Sequence, residues 1–397
     1  MDFVLPTAVL SLMDGLELAG YPAYVVGGCV RDRLMGRAPH DFDICTVAAP
    51  HQMRASLPGF RLLSTGEAHG TLTAVVAGAS YEITTFRIDG EYADHRRPDS
   101  VRYVSELGQD LARRDFTINA MAYHPCQGLV DPFGGREDIA QRLVRCVGDP
   151  AARFEEDALR VLRALRFAAT CDFAVEPATA SAALAACHTL AYVARERILT
   201  ELTKLLRASA PHRGLRDFAP VLAAAAPGLA PLAENKERWA QAVRRVCAAP
   251  DSAAERWTAL LWDIPDAACD LLRELRSDNA TRQRVEALLA AKELSLTPER
   301  AVLLRALHRL GPQATRQLVA LRQAGAPTLA ALEALLNENP CYSVAHLAVK
   351  GADLLALGLR GPEVGRTLEA LLDAVIEGRV ENRREALLHI LQGPCAH

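Results

Sequence analysis

Aromatic side chains are scarce in this chain: Phe, Trp and Tyr make up 5% of 397 residues. Lysine is scarcer, with four (Lys204, Lys236, Lys292 and Lys350) among 45 basic residues. The ten cysteines form no Cys-x-x-Cys pair and no Cys/His cluster at zinc spacing, which excludes a zinc module and leaves free thiols in a reducing compartment. Long hydrophobic runs are missing too. The longest stretch free of Asp, Glu, Lys, Arg and His, residues 218–233, is broken by Pro220, Pro227 and Pro231 and is too short to span a bilayer. No basic segment followed by an apolar run stands at the start, so no signal peptide is expected. These absences predict a cytoplasmic protein with no membrane partner. An excess of positive charge is also lacking. The formal net charge is -3, which advertises no nucleic acid by itself but leaves room for a local basic groove. Nearly all of the positive charge is arginine, a side chain suited to bidentate phosphate and base contacts, although GC-rich coding gives the same bias.

What is present is apolar and helical in its second half. Hydrophobic residues make up 50% of the chain, enough for two to four domains or one domain with a long helical annex. Residues 2–19 carry Leu5, Val9, Leu12 and Leu16 at helical spacing. Residues 60–63, 72–76 and 81–86 read as strands. Beyond residue 176, Ala/Leu-rich amphipathic helices broken by prolines dominate.

The chain is organised around residues 25–43, VVGGCVRDRLMGRAPHDFD. An apolar strand meets Gly27 and Gly28, a short helix carries Arg31 and Asp32, and Asp41-Phe42-Asp43 follows. Carboxylates at i and i+2 on a strand face the same way and repel unless a cation sits between them. Such oxygen donors suit Mg²⁺, which takes one or two protein carboxylates and completes its shell with water and phosphate. Paired glycines let backbone approach a ligand, and free N–H groups at a helix start favour an anion. Alone, a GG or a DxD reads equally as a solvated turn. In this order they suggest a nucleoside triphosphate with its metal. Glu82 alternates with Thr84 and Phe86 on the strand YEITTFR and is a candidate third acid, or a solvated strand carboxylate. Residues 88–103 are polar and aperiodic and read as a loop, with Arg96 and Arg97 available for phosphate.

Two further stretches stand out. LARRDFTINAMA (111–122) reads as a short helix with Phe116, Ile118 and Met121 near one face and Arg113, Arg114 and Asp115 at its head. ARFEEDALRVLRALRFAA (152–169) reads as one amphipathic helix. Its first turn holds Glu155, Glu156 and Asp157, with Arg160, Arg163 and Arg166 following at spacing three. Asp157 and Arg160 then lie one turn apart, as an i,i+3 ion pair or as an acceptor and donor that together read a base edge.

These motifs resemble, in order, those of the class II bacterial CCA-adding tRNA nucleotidyltransferases, within the tRNA nucleotidyltransferase/poly(A) polymerase family. The matches are GGxVRD and DxD, RRDFTINA, LVDPFGG, EDxxR (Glu156, Asp157, Arg160) and ERI..EL. They span residues 24 to about 206 strongly and the tail weakly. The resemblance implies an α+β, polymerase-β-like nucleotidyltransferase head with a small mixed sheet, followed by an all-α neck, body and tail. The expected limits are 1–145, 146–206, 207–340 and 341–397. It implies template-independent addition of C, C and A to tRNA from CTP and ATP, with Mg²⁺ on the catalytic Asp41 and Asp43. Nucleotide binding would fall to Gly28, Arg31, Arg114, Asp157, Arg160, Arg163 and Arg166. It further implies that residues 88–103 help select the nucleotide and that the tail, opening at Arg360 and Gly361, meets the tRNA. No DNA partner is expected. A His-Asp dyad with further metal ligands downstream is missing, so the phosphohydrolase domain attached to some relatives is not expected. The alternatives are a poly(A) polymerase, an enzyme adding only CC or only A, and a non-catalytic RNA-binding relative.

Overall fold

A computed structural model describes residues 3–90, 101–322 and 325–392. The chain divides into two compact units, Met1–Val243 with Glu274–Arg276, and Arg244–Arg273 with Ser277–His397.

The first unit opens with α1 (Thr7–Leu18), β1 (Ala23–Val26), α2 (Gly28–Leu34), β2 (Asp43–Thr46) and α3 (Pro50–Ser56). There follow β3 (Arg61–Leu63), β4 (Thr71–Val76), β5 (Ala79–Thr85), β6 (Arg87–Asp89), β7 (Val101–Tyr103) and α4 (Leu107–Ala112). Then come β8 (Ala122–His124), β9 (Gly128–Val130), α5 (Gly135–Gln141) and β10 (Leu143–Val144). The helical part holds α6 (Pro150–Glu156), α7 (Leu159–Cys171), a short β11 (Ala174–Val175), α8 (Pro177–Ala186) and α9 (Arg195–Arg207). It closes with α10 (His212–Leu215), α11 (Ala219–Ala225), α12 (Ala230–Ala233) and α13 (Lys236–Ala248).

Seven strands form one mixed sheet in the order β3-β4-β5-β2-β1-β8-β9. Among the described residues its ladders are antiparallel except for β2 with β5. Period-two alternation sorts the strand residues between two cores. Val25, Ile44, Leu72 and Ile83 pack with Val9, Leu12 and Leu16 of α1 and Met53 of α3. Val26, Cys45 and Ala122 turn to the other face, with Phe86, Leu111 and Val147. β2 begins at Asp43, so the two acids do not share a strand as expected: Phe42 joins the α1 side, Asp43 faces the opposite way, and Asp41 stands in the loop before the strand. Burying the Phe42 ring is worth roughly 1.5–3 kcal/mol and pins the direction of Asp43.

Three further expectations are corrected. Residues 88–103 are not wholly a loop: β6 and β7 pair as an antiparallel ribbon, Ile88 opposite Arg102. Arg96, Arg97 and the rest of 91–100 lie outside the described residues. RRDFTINA is not the short α-helix expected; within it only Thr117–Asn119 form a single 3₁₀ turn. The helix α4 stops at Ala112, and the Asp115 carboxylate then accepts the Phe116 N–H at 2.8 Å. Phe116 bridges to Cys146, and the Thr117 N–H goes to the Arg145 carbonyl at 3.0 Å. A short acid that bonds the adjacent backbone competes with the helical ladder. Nor is 152–169 one helix. Asp157 has extended torsions (φ −137°, ψ 102°) and separates α6 from α7. The acids 155–157 therefore close α6 rather than open a helix, where the helix dipole disfavours them. Glu156 is compensated by Arg153 and Arg160.

The second unit is helical among the described residues: α14 (Ala253–Leu261), α15 (Pro265–Glu274), α16 (Asn279–Ala290), α17 (Arg300–Leu321), α18 (Ala326–Asn337), α19 (Gly351–Ala356), α20 (Pro362–Ile376) and α21 (Arg384–Gln392). Its core gathers Leu303, Leu307, Leu332, Leu354, Leu371 and Leu372. Pro312, after Gly311 at φ 74°, kinks α17. The Gly361-Pro362 step opens α20 and Gly378 follows its end, as the sequence pattern indicates.

One glycine fixes how the head closes. Asp131 accepts the N–H groups of Gly135 and Arg136 at 2.7 and 2.8 Å, capping α5. A Cβ on Gly135 would lie 2.3 Å from the Thr117 carbonyl oxygen. Gly135→Ala should cost about 1–3 kcal/mol, because that backbone has no flexible end to move aside. Thermal unfolding checks this as a lowered midpoint, and an unchanged midpoint would contradict it.

Candidate active site

Three groups of side chains converge on the sheet face opposite α1. The first lies where β1 meets α2. Gly27 takes φ 81°, ψ −127°, a conformation that L side chains rarely adopt, and its N–H donates to the Met121 carbonyl at 3.1 Å. The same missing side chain makes room for Arg114, since a Cβ on Gly27 would stand 3.1 Å from an Nη of that guanidinium. Gly28 begins α2 and leaves its first N–H groups without helical partners.

Opposite this glycine turn stand the acids. The register pairs Asp43 of β2 with Glu82 of β5, so the two carboxylates leave the same face of adjacent parallel strands. Burial pushes the Asp43 carboxyl up; Glu82 adds to this, Arg114 opposes it, and Asp41 raises it further. Three acids press on one another with one guanidinium against them. That is the electrostatic situation a divalent cation relieves. Among the described residues no three His, Cys, Asp or Glu side chains close as a metal cage. A site of one or two carboxylates completed by water and phosphate oxygens needs none.

The second group is a polar chain running through the unit. Arg31 is buried and donates from Nη1 to the side-chain Oδ1 of Asn119 at 2.7 Å and from Nε to Asp32 at 2.9 Å. Asn119 donates to Asp115 at 3.2 Å, and Asp115 receives the Arg163 Nε at 2.8 Å. Arg166 donates from Nε to Glu201 at 2.5 Å. The guanidinium carbons of Arg31, Arg163 and Arg166 stand 5.2, 5.3 and 3.9 Å from the Phe167 ring centroid. Three cations gather around one aromatic ring, and each has its own carboxylate.

The third group differs from the expected ion pair. Asp157, at the break between helices, accepts the Leu159 N–H at 3.1 Å and pairs with Arg197 at 3.3 Å. Arg160 pairs with Glu156 instead, and donates to the carbonyls of Arg153 and Arg113 at 3.1 and 3.0 Å. The acid and the guanidinium of this motif are held by different partners. The structure thus brings Asp41, Asp43, Glu82 and Arg114 into one cluster and Arg31, Arg163 and Arg166 into another, with Gly28 against Arg31. Sequence reasoning missed Asp110, Phe167, Glu201 and Arg197. The signal for Asp110 was its spacing, three and four residues before Arg113 and Arg114.

Comparison with known proteins agrees with this geometry. A profile for the poly(A) polymerase head domain matches residues 23–145. One for an RNA-binding segment of polymerase A matches 172–219, and one for domain 2 of a tRNA nucleotidyltransferase matches 249–391. A CCA-adding enzyme of Lactobacillus delbrueckii subsp. bulgaricus is 35% identical over 97% of this chain and 97% of its own length. That of Geobacillus stearothermophilus is 36% identical over 95% of this chain and 94% of its own. The crystal structure of the Bacillus stearothermophilus CCA-adding enzyme in complex with CTP superposes with a TM-score of 0.82 at 33% identity, over 97% of this chain and 96% of that one. The chain belongs to the CCA-adding tRNA nucleotidyltransferases. The Thermotoga maritima CCA-adding enzyme complexed with tRNA, 20% identical with a TM-score of 0.67 over 98% of this chain and 96% of that one, shares the fold. Nucleotidyltransferases of this family generally depend on a metal ion. Among the described residues no helix is long and apolar enough to cross a membrane.

In this CCA-adding fold Asp115 is the carboxylate that joins two of the shared motifs. Burial alone would raise its pKa, but Arg163, with Asn119 and Arg160, lowers it from the ordinary 3.8 to about 2. A depressed carboxylate stabilises the fold fully above pH 3.8, and the contribution is lost as pH falls towards 2. Its size is about 2 kcal/mol. Asp115→Asn should therefore unfold at lower temperature above pH 4, with the gap to the parent narrowing as the pH drops below that. Thermal melts across pH 3–6 check this, and a gap independent of pH would contradict it.

Proposed function

We propose that this chain adds C, C and A in turn to the 3′ end of tRNA from CTP and ATP, releasing pyrophosphate, with no nucleic-acid template. The observation that carries the reading is the acid cluster: Asp43 opposite Glu82, Asp41 beside it, and Arg114 against Gly27. A binding module gains nothing from repelling carboxylates, whereas a nucleotidyl transfer site needs them. Asp41 and Asp43 would hold Mg²⁺, with Glu82 as a further oxygen donor. Bound there, the ion would supply Lewis-acid activation of the 3′-hydroxyl and neutralise charge on the departing pyrophosphate.

The remaining roles belong to the protein. Gly27 and Gly28 let the backbone approach the triphosphate, while Arg31 and Arg114 bind its oxygens. Asp157 and Arg160 read the base edge, acceptor beside donor. The break at Asp157 supports this, because a carboxylate outside both helices can reorient between cytosine and adenine without unwinding a turn. Arg163 and Arg166, set on Phe167, steady the nucleotide from the neck. The head (1–145), neck (146–206), body (207–340) and tail (341–397) divide the work, with α20 and Arg360 in the tail meeting the tRNA backbone. The compartment is the cytoplasm, consistent with nine free cysteines among the described residues. Addition of the full CCA, rather than CC or A alone, is the proposed outcome. The poly(A) polymerase reading is not favoured, because the similar curated proteins are CCA-adding enzymes.

The test incubates the protein with Mg²⁺ and a tRNA transcript lacking its CCA end, with CTP, ATP or both. Two additions with CTP alone and a third only when ATP is present are expected. Asp43→Asn should lose turnover and still retain tRNA. A long ladder with ATP alone would transfer the chain to the poly(A) polymerases. Retained tRNA with no extension by the parent protein would leave a binding module.

A further inference from the structure

Behind Arg114 lies a carboxylate that takes no direct part in the reaction above. Asp110, on α4, is completely buried. Its Oδ2 accepts an Nη of Arg114 at 3.3 Å. Its Oδ1 accepts Nε and Nη2 of Arg113 at 2.9 and 2.8 Å, and the backbone N–H of Arg87 at 3.3 Å. Burial alone would raise the pKa of this acid, yet Arg114 and Arg113 hold it below the usual carboxylate range. It is therefore an anion in the core, fully committed to donors. The three donor residues sit at different places. Arg87 is the first residue of the β6–β7 ribbon, Arg113 ends α4, and Arg114 faces the acid cluster across Gly27.

Arg114 has little else to hold it. Its Nε is buried with no hydrogen-bond partner among the described residues, and Gly27 supplies space rather than a contact. A guanidinium must present its fork at a fixed angle to bind phosphate oxygens bidentately. Here that angle is set from the rear.

We propose that Asp110 is a positioning residue for the nucleotide triphosphate: it orients Arg114 towards the glycine turn and ties that arginine to the base of the β6–β7 ribbon. The proposal rests on the reading of Arg114 as a triphosphate contact. Asp110 itself touches no substrate. Its carboxylate fixes the arginine before the nucleotide arrives, so the ordering cost is met in folding and not in binding. The fixed anion also holds Arg114 back from collapsing onto Asp43, which would close the space the phosphates need.

The experiment is a double-substitution cycle on the full-length protein, with CTP addition to a tRNA lacking its CCA end as the readout. Asp110→Asn keeps the shape and removes the charge. It should raise the KM for CTP about 10- to 100-fold, the scale set by misplacing a positioned group. The KM for tRNA and inhibition by CMP, which lacks the outer two phosphates, should not change. Arg114→Ala should raise the KM for CTP similarly, and adding Asp110→Asn to it should cost nothing more. Where Asp110→Asn does not yield folded protein, Asp110→Glu keeps the charge, shifts the arginine by one methylene and takes its place in the cycle. Additive effects of the two substitutions would overturn the proposal, as would a matching loss of tRNA affinity. An unchanged KM for CTP in Arg114→Ala would instead overturn the triphosphate reading on which it stands, and Asp110 would then be a core ion pair only.

Discussion

The site rests on an imbalance of charge that the protein does not itself resolve. Asp43 and Glu82 share one face of the sheet with Asp41 beside Asp43 in the preceding loop, and the cation that the chain sets against Asp43 is Arg114. Arg114 is already engaged by Asp110 from behind. Elsewhere in the unit the charges are matched closely: Arg31 with Asp32, Arg160 with Glu156, Arg163 with Asp115, and Arg166 with Glu201. Among the three acids negative charge outruns the one cation set against it. A divalent ion with phosphate oxygens completes the set, so the ligand and the metal are recognised together by what the protein leaves unbalanced.

The pairing of the arginines explains how a chain of slightly negative net charge can handle polyanions. Each guanidinium is oriented by a buried or half-buried carboxylate before any ligand is present. Orientation is gained while long-range positive potential is given up. For Arg31, Arg163 and Arg166 the Phe167 ring adds a fixed surface on which the planar groups lie.

Much of this was legible in the sequence, because alternation and glycine chemistry are local. Val25, Val26, Ile44 and Ile83 declared their faces by period two, and the buried Phe42 declared the face of Asp43 beside it. The pairing of Glu82 with Asp43 was suggested by alternation, and the register places them side by side. What failed was helical periodicity where polar side chains overrode it. RRDFTINA has helical spacing, but Asp115 bonds the Phe116 amide and the chain joins Cys146 instead. The stretch 152–169 has one apolar stripe, yet Asp157 bonds the Leu159 amide and opens the backbone. In both cases an aspartate decided the local path through a bond that no hydrophobic pattern records. Asp110 went unread for a different reason: its spacing to Arg113 and Arg114 signals an ion pair, but that spacing does not record that the pair is buried.

The acid cluster is assembled by the one parallel ladder found in the seven-stranded sheet among the described residues, β2 with β5. A parallel pair cannot be closed by a tight turn, so α3, β3 and β4 intervene in the chain. The neighbouring β3–β4 and β4–β5 pairings are antiparallel between consecutive strands and close short loops. A loop-closure cost therefore attaches to the contact that also brings Asp43 and Glu82 into repulsion, while the longer closure, Val26 with Ala122, joins apolar residues. The site's chemistry is thus written into the order of folding as well as into the folded state. The carboxylates meet where a long stretch of chain must close, and cations in solution that soften their repulsion ease that step.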